Sequence, residues 1–447
     1  MTCRPRQLIW LSSAVIGFVL CVAFESAKAQ SDVANTTKPL LVSTELAALD
    51  AQEQNPEQNP EEEQPTPTPP PAPQSFLDIY GFLQLDLGYD FKVNDPNWFD
   101  VNRPSKLPAF SGEFGKNGNT YYSVRQTRFG VKGSQYTDLG ELKYEFEFDM
   151  FGVGVDAGQT TIRPRKYYGE IGPVLAGQTN SVFMDIDIFP NIIEYWGPNG
   201  MVFLRNPQLR YTPINGATKF MIALEKPGAS GDAGVIADRI DLSNVHARFR
   251  LPDLSGAISH TWKNKSYIRA AAIVRDFKID NLQTNATQNI VGWGANVSSN
   301  IVIHKDVIRL QYVYGEGIEN YMNDAPVDVA PELNLGNPAL RIKGKAIPMY
   351  SFTAYLDHNW SSQWSSAIGY SELVMHNTNL QLPDAFHEGQ YASANLLYSP
   401  FKSFMTGGEF QYGKRKNFSS GFNPNDYRIQ FSFKYSFDFR VLGKSKS

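Results

Sequence analysis

Residues 140–152 read GELKYEFEFDMFG and alternate strictly between charged and apolar side chains. The even positions from Leu142 to Met150 are apolar, and the odd positions from Glu141 to Asp149 are charged. A β-strand places successive side chains on opposite faces, so this stretch has one face suited to hydrocarbon and one suited to water. Taken alone, a single strand of this kind is more typical of a soluble antiparallel sheet.

Sixteen such segments follow one another after residue 76, and short and long connections join them in alternation. A barrel inserted from the periplasm has its tight turns at one end and its long loops at the other. The rhythm therefore predicts an all-β fold, a transmembrane antiparallel β-barrel of 16 strands that is wide enough for an aqueous lumen. The predicted strands are 77–91, 121–133, 140–151, 162–171, 174–184, 203–212, 217–225, 254–262, 266–277, 289–302, 306–315, 349–359, 363–374, 388–398, 402–414 and 426–437.

Residues 1–29 have the pattern of a secretory signal peptide. Two arginines precede an apolar run, and the sequence AKA at 27–29 offers a small-residue cleavage site. A lipoprotein is the alternative because Cys21 lies in this segment, but Leu20 before it is not the small residue that a lipobox needs. Cys3 lies in the same segment, so the mature chain would have no disulfide and no thiolate ligand. We therefore expect export, and the barrel pattern places the protein in the cell outer membrane.

Residues 30–75 are predicted to be an acidic, proline-rich periplasmic linker. This segment holds one lysine against eight acidic residues, and from 51 to 74 it repeats EQNP before a run of prolines. Such a composition forms no packed core and favours extended polyproline II. The spacing of Val42, Leu46 and Leu49 is compatible with a short helix, which belongs either to a trimerising coil or to a disordered tail.

The barrel is expected to span 76–439, and a basic tail, 440–447, to follow it. Once the acidic linker is set apart, the barrel region is close to neutral, although the whole chain has a formal net charge of -4. No basic excess indicates a nucleic-acid partner. Any ion preference must therefore come from the positions of charges in the lumen.

The connection at 185–200, DIDIFPNIIEYWGPNG, is unusually apolar for a surface loop and contains Asp185, Asp187 and Glu194. As the third long loop, it is predicted to fold into the lumen, with its apolar side chains on the wall and its acids toward the pathway. The alternative is an exterior loop that makes subunit contacts.

Anion preference needs fixed cations along a constriction, and arginine binds carboxylates through a bidentate fork. Strand parity favours Arg128 and Arg210 as lumen residues, because each shares a face with polar neighbours. We expect the arginines of the second, fourth and sixth predicted strands to form a ladder that faces Asp185 and Asp187 and creates a transverse field. For each arginine the alternative is a structural salt bridge. The candidate residues are Arg125, Arg128, Arg163, Arg165, Arg205, Arg210, Arg269 and Arg275, with the loop acids Asp185, Asp187 and Glu194.

Five runs stand out along the chain: RQTRFGVKG (125–133), LGELKYEFEFDMFG (139–152), LAGQTNSVFMD (175–185), GPNG (197–200) and RNPQLRYT (205–212). In this order they resemble the DcaP-like outer-membrane porins of Gram-negative bacteria and, less closely, the phosphate-selective porins. The resemblance implies a homotrimer of sixteen-stranded barrels that passes small anionic solutes such as dicarboxylates. Family members often carry an N-terminal helical coil, which the proline-rich linker largely replaces here. As further partners we expect membrane lipid and lipopolysaccharide.

Three alternative functions stay open. An enzymatic barrel is the first, but the six histidines are scattered and neither G-x-S-x-G nor H-E-x-x-H occurs. The run GVGVDAG at 152–158 lacks the βαβ context of a dinucleotide loop. We therefore expect no enzymatic activity, no cofactor and no metal site. The second alternative is a barrel that anchors a binding protein whose linker reaches the cell wall, and the third is a porin for phosphate or sugars.

Overall fold

The structure, a computed structural model, describes most of the predicted barrel region. The described residues are 75–442 apart from 234, 236–244, 283–284 and 337–340. The predicted signal peptide, the linker up to residue 74 and residues 443–447 of the predicted tail lie outside them. Within the described ranges, no helix is long and apolar enough to cross a membrane.

Eighteen of the twenty strands formed by the described residues join into one antiparallel sheet, which closes where β1 pairs with β20. β2 and β3 both pair with β1, and β9 and β10 both pair with β11, so each of these two pairs is one interrupted strand of the wall. The wall therefore has sixteen strands, as predicted. The strands are β1 (Phe76–Asp90), β2 (Asn119–Ser123), β3 (Arg128–Thr137), β4 (Gly140–Phe151), β5 (Thr160–Ile171), β6 (Val174–Asn180), β7 (Arg205–Asn215), β8 (Thr218–Glu225), β9 (Val245–Arg248), β10 (Asp253–Thr261), β11 (Tyr267–Asn281), β12 (Ala286–Ile303), β13 (Asp306–Glu316), β14 (Val329–Leu333), β15 (Ile342–Ala346), β16 (Pro348–Asn359), β17 (Trp364–Met375), β18 (Phe386–Phe401), β19 (Phe404–Asn417) and β20 (Asn425–Leu442).

Side chains alternate between the two faces of the wall. Leu83 and Leu85 of β1 are exposed on the outer face, whereas Gln84 and Asp86 between them are buried on the inner face. An apolar outer face and a polar inner face are what a barrel in a bilayer requires. Closure also leaves the sheet without a free edge.

Short turns join the strands at one end of the barrel, and long loops join them at the other. A two-residue turn between β5 and β6 contains Gly172, whose φ of 55° lies in the left-handed region that glycine adopts without strain. β1 begins and β20 ends at the short-turn end. β20 runs to Leu442, so it includes the first three residues of the segment predicted as a tail.

Two strands differ from the sequence prediction. The strand expected at 121–133 is interrupted at 124–127, where the backbone N–H of Thr127 donates to the Val124 carbonyl in a turn. The strand expected at 174–184 ends at Asn180, because the chain leaves the wall at Ser181, whose hydroxyl donates to the Glu225 carboxylate at 3.0 Å. A local turn therefore interrupts the first segment, and a side-chain partner distant in sequence ends the second.

Long loops fill part of the interior at their own end of the barrel. Loop 3 (181–204) and loop 6 (317–347) contribute apolar residues to one buried cluster with inward residues of the wall. Phe183 of loop 3 and Tyr321 of loop 6 meet edge to face, with their ring centroids 6.0 Å apart. The wall residues of this cluster include Met221, Ile273, Val313, Met349 and Leu373.

Candidate functional site: loop 3 and the inner wall

Loop 3 follows the inner wall from β11 onward. The Asp185 carboxylate accepts hydrogen bonds from the Tyr267 hydroxyl on β11 at 2.8 Å and from the Ser298 hydroxyl on β12 at 2.5 Å. Two residues later, the Asp187 backbone carbonyl accepts from the Arg309 guanidinium on β13 at 2.5 Å. These contacts hold the start of the loop against three consecutive strands.

The next part of loop 3 continues past β16, β18 and β19. The backbone N–H of Asn191 donates to the Asp357 carboxylate on β16 at 3.3 Å, and its carbonyl accepts from Asn395 on β18 at 2.8 Å. The backbone N–H of Ile193 donates to Glu409 on β19 at 2.9 Å. Each partner side chain points inward, so the loop lies inside the barrel over this part of its course.

At Tyr195, loop 3 contacts β4 and β5, which lie beyond the point where β20 pairs with β1 to close the barrel. Its hydroxyl bonds to the Asp149 carboxylate and to the guanidinium groups of Arg163 and Arg165, the last at 2.6 Å. The Tyr195 ring also stacks on Phe151, with centroids 4.4 Å apart. Loop 3 therefore lines the wall from β11 through β20 to β5.

The remaining arc of wall, from β6 to β11, carries basic side chains. We call Arg210, Lys219 and Arg269 the basic arc; they lie on β7, β8 and β11. Lys219 and Arg269 are both in register with Ser259 of β10, so the two charges flank one residue. Among the described residues, none of the three forms an ion pair, and the carboxylates whose charges act on Lys219 are those of Glu170 and Asp187.

The acceptors of the basic arc are neutral oxygen atoms. Arg210 donates to the Gln208 side-chain amide at 3.0 Å and to the Asn180 carbonyl at 2.5 Å. Arg269 donates to the Val182 carbonyl at 2.6 Å. A neutral acceptor satisfies a donor without cancelling its charge, and the carboxylates of Glu225 and Glu170 act on Arg210 only from beyond ion-pair distance.

Asp187 is the acid of loop 3 that faces the basic arc. The cations that act on its carboxylate are those of Arg269, Lys219 and Arg309. Burial and the neighbouring Asp185 raise the pKa of Asp187 above its ordinary value. Asp187 is therefore the loop acid whose carboxylate lies near the basic arc.

A second group, the arginine cluster, consists of Arg128, Arg163, Arg165 and Arg205 on β3, β5 and β7. Among the described carboxylates, those of Asp149 and Glu147 are paired with this cluster. Arg163 binds Asp149 through two nitrogens at 3.0 and 2.7 Å, whereas Arg165 binds both carboxylates, each at 2.7 Å. Arg128 approaches the second carboxylate, Glu147, only to 3.9 Å.

Arg205 completes the arginine cluster without a carboxylate of its own. Its guanidinium lies 4.6 Å from the centroid of the Phe203 ring, and the charges that act on it include those of Arg163, Arg165 and Asp149. Four guanidinium groups thus meet two carboxylates in the described part of this cluster, which leaves an excess of two positive charges.

Two predicted arginines do not line the pathway. Arg125 is 1% exposed and donates to Asp100 at 2.5 Å and to the Gly152 carbonyl at 2.8 Å. Arg275 is equally buried and is paired with Asp253 at 3.1 Å and Asp328 at 2.8 Å. The structural salt bridge, which was the alternative for each arginine, therefore describes both.

Strand parity does not apply to Arg125, because it lies in the interruption at 124–127 between β2 and β3, whereas Arg128, which parity favoured, is the first residue of β3. Arg205 and Arg210 differ in parity, so an unbroken strand would not direct both into the lumen. Arg205 is the first residue of β7 and follows the irregular end of loop 3, so strand alternation does not fix its direction.

Two predicted loop acids are buried anchors. Asp185 is 1% exposed, and its partners are the hydroxyls on β11 and β12, so the expectation that it faces the arginines is wrong. Glu194 accepts from the backbone N–H of Asn102 at 3.1 Å and from that of Gly197. Its burial raises its pKa to about 8.

Lys219 is the functional candidate that sequence reasoning missed. It lies in the stretch TKFMIALE (218–225), where Met221 and Ala223 share its face. Because Met221 and Ala223 are apolar, the sequence does not show that this face points toward the lumen. The exposed Ile222 and Leu224 identify the opposite face as the outer one.

A family model described as DcaP outer membrane protein matches residues 51–437. Among solved structures, the outer membrane channel DcaP of Acinetobacter baumannii is 21% identical, with a TM-score of 0.67 over 81% of this chain and 98% of that one. The anion-selective porin from Comamonas acidovorans is 10% identical, with a TM-score of 0.52 over 81% and 100%. The trimer form of OmpT from Vibrio cholerae is 11% identical, with a TM-score of 0.50 over 82% and 100%. No curated protein matches the chain.

Proposed function

Because this chain belongs to the DcaP outer membrane protein family, we propose that it is an outer-membrane porin for small anionic solutes, with dicarboxylates as the preferred class. The observation that carries the proposal is the basic arc of Arg210, Lys219 and Arg269, whose charges no described carboxylate neutralises in an ion pair. The position of the basic arc opposite Asp187 supports a pathway between loop 3 and the part of the wall that loop 3 does not line, from β6 to β11.

In this proposal, loop 3 narrows the lumen and leaves its open side along β6 to β11. The hydrogen bonds of Asp185, Asn191 and Ile193 support this role, because they hold the loop at fixed points of the wall. A solute is then confined to the side that carries the cations. Fixed charges at a narrow point act on permeating ions far more strongly than charges in a wide aqueous lumen.

Two positive sites in succession favour a solute with two carboxylates. Arg205 of the arginine cluster and Arg210 of the basic arc are five residues apart on β7, which is roughly 16 Å along the strand at about 3.3 Å per residue. A dicarboxylate carries two negative charges, so each of these sites attracts it more strongly than it attracts a monocarboxylate. Arginine also binds carboxylates through its planar fork, whereas a neutral sugar gains nothing from this charge.

Reversal potentials of the purified full-length protein in planar bilayers test the charge assignment. Under a KCl gradient the native pore should prefer chloride, and the triple change of Arg210, Lys219 and Arg269 to alanine should bring the chloride-to-potassium permeability ratio to about 1 or below. Lys402→Ala, at an exposed turn, is the matched control and should leave the ratio unchanged. An unchanged ratio in the triple variant contradicts the proposal.

Liposome swelling tests the solute class. The proposal requires a C4 dicarboxylate to enter faster than a neutral sugar of similar size, and the triple variant to lose that difference. Equal rates for both solutes would favour a general porin. Three equal conductance steps would support the proposed homotrimer, and bilayers without any conductance would support the anchor or binding protein.

A further inference from the structure

The outer face of β17, β18 and β19 carries polar and charged side chains close to the long-loop end. Glu372 lies three residues before the end of β17, and Glu388 lies two residues after the start of β18. Lys414 and Lys416 occupy two of the last four positions of β19. Ionisable groups are costly where a barrel faces lipid, so this concentration requires an explanation.

The neighbours of these residues establish that they point outward. Ser371 is fully buried, and its hydroxyl accepts from the backbone N–H of Gly200 in loop 3 at 2.9 Å. Arg415 is buried and donates to the Ser105 carbonyl in the loop after β1 at 3.0 Å. Because alternate residues of a strand point to opposite faces, Glu372, Lys414 and Lys416 point away from the lumen.

Hydrogen bonds organise this surface into one patch. Glu388 accepts from Gln390 at 2.7 Å and from Lys416 at 3.1 Å, while the Lys416 side chain stays 48% exposed. Gln390 is in register with both Glu372 and Lys414 on the flanking strands. Lys414 forms no ion pair with any described carboxylate. We call Glu372, Glu388, Gln390, Lys414 and Lys416 the outer-rim patch.

Directly below the outer-rim patch, the same outward columns become apolar. Tyr412 and Tyr427 pack against each other, with centroids 5.3 Å apart, and Ile368, Leu396 and Phe410 below them are 46 to 59% exposed. Aromatic rows mark the level where headgroups give way to hydrocarbon. The outer-rim patch therefore lies at headgroup level on the outer side of the membrane.

We propose that the outer-rim patch binds the phosphorylated sugar headgroup of an outer-leaflet glycolipid. Lys414 supplies a positive charge that no described carboxylate pairs with, and Lys416, which Glu388 pairs at 3.1 Å, lies two residues away on the same strand. Lysine binds phosphate as a point charge, so a phosphate beside Lys414 can compete with Glu388 for Lys416. Glu372 and Gln390 supply acceptors and donors for sugar hydroxyls.

Native mass spectrometry of the full-length protein tests the proposal with three lipid probes: bisphosphorylated lipid A, dephosphorylated lipid A and phosphatidylglycerol. The native protein should retain bisphosphorylated lipid A in preference to the other two. Changing one lysine to glutamine should weaken its binding about 5-fold, and changing both about 30-fold, as expected for one positive charge per site near a lipid surface. Lys402→Gln, at the opposite end of the barrel, is the control and should change binding less than 2-fold.

Three outcomes would overturn the proposal. One is equal retention of lipid A with and without its phosphates, and another is a loss of less than 2-fold in the variant Lys414→Gln, Lys416→Gln. The third is dissociation of the oligomer in that variant, which would assign the patch to a subunit interface. Pore conductance verifies that each variant is folded. Because the outer-rim patch lies outside the lumen, the lipid-binding result does not depend on whether the proposed ion selectivity is correct.

Discussion

Replacing Arg275 by alanine is expected to destabilise the barrel without changing its ion selectivity. The Arg275 side chain is fully buried and lies between Asp253 on β10 and Asp328 in loop 6. It also donates to the carbonyls of Gly228 and Gly317, so it joins the wall to two connecting segments. Its charge is opposed by two carboxylates and is screened from any pathway.

The size of the effect follows from what the substitution leaves behind. Alanine removes the cation and leaves the Asp253 and Asp328 carboxylates buried without it, and breaking a buried ion pair in this way costs about 3–5 kcal/mol. The lost bonds to backbone carbonyls add to this cost, while protonation of one carboxylate reduces it. We therefore expect the free energy of unfolding to fall by about 3–5 kcal/mol.

Urea unfolding of the barrel in lipid vesicles measures the stability, and reversal potentials under a KCl gradient measure the selectivity. Arg210→Ala is the reciprocal variant, because its partners are the neutral oxygens of Gln208 and Asn180. It should lower the unfolding free energy by only about 1–2 kcal/mol while reducing the chloride preference. A selectivity change from Arg275→Ala as large as that from Arg210→Ala would refute the distinction, as would a stability loss below about 1 kcal/mol.

Three further substitutions test the loop contacts and the arginine cluster. Because the pKa of Glu194 is raised to about 8 from 4.5, the folded state holds its proton more tightly than the unfolded state, so stability should fall as the pH rises from about 4.5 to about 8. Urea unfolding should show a smaller fall in Glu194→Gln, and an unchanged slope would contradict the assignment. The Arg103 guanidinium lies 4.1 Å from the ring centroid of Trp98, 4.3 Å from that of Trp196 in loop 3 and 2.8 Å from the Asp324 carboxylate in loop 6. Arg103→Ala removes these contacts between loops, so single-channel recordings of the variant should show more open-pore noise. Recordings as quiet as those of the native pore would contradict a stabilising contact between the three loops. Asp149→Asn removes the main carboxylate of the arginine cluster, so reversal potentials should become more chloride-selective, and a change toward potassium would refute the net positive charge of this cluster.

Local alternation was sufficient to predict the wall of the barrel. Residues 140–151 form β4 as the opening motif predicts, because the period of two is a property of neighbouring residues alone. The connections were equally readable, since turn residues such as Gly172 are constrained by their own backbone angles. Sixteen strands thus follow from information that never extends beyond about ten residues.

The site depends on contacts between distant residues, and here the sequence was less informative. The Ile193 N–H meets Glu409 across 216 positions, and Asp185 meets Ser298 across 113. The residues next to Asp185 in the sequence do not indicate that hydroxyl groups on β11 and β12 will donate hydrogen bonds to its carboxylate. The sequence therefore could not separate the acid that lies near cations, Asp187, from those that anchor the loop, and it did not point to Lys219.

Arginines of this barrel differ in function because their acceptors differ, and burial alone does not separate them. Arg165 and Arg275 donate to carboxylates, so their fields are largely cancelled and their contribution is to hold wall and loops together. Arg210 and Arg269 donate to amide and carbonyl oxygens, so they are fixed in position and yet keep their charge. Selectivity in such a lumen therefore depends on the number of carboxylates within reach of each cation. Adding one acid beside the basic arc should weaken anion preference more than removing an arginine that is already paired.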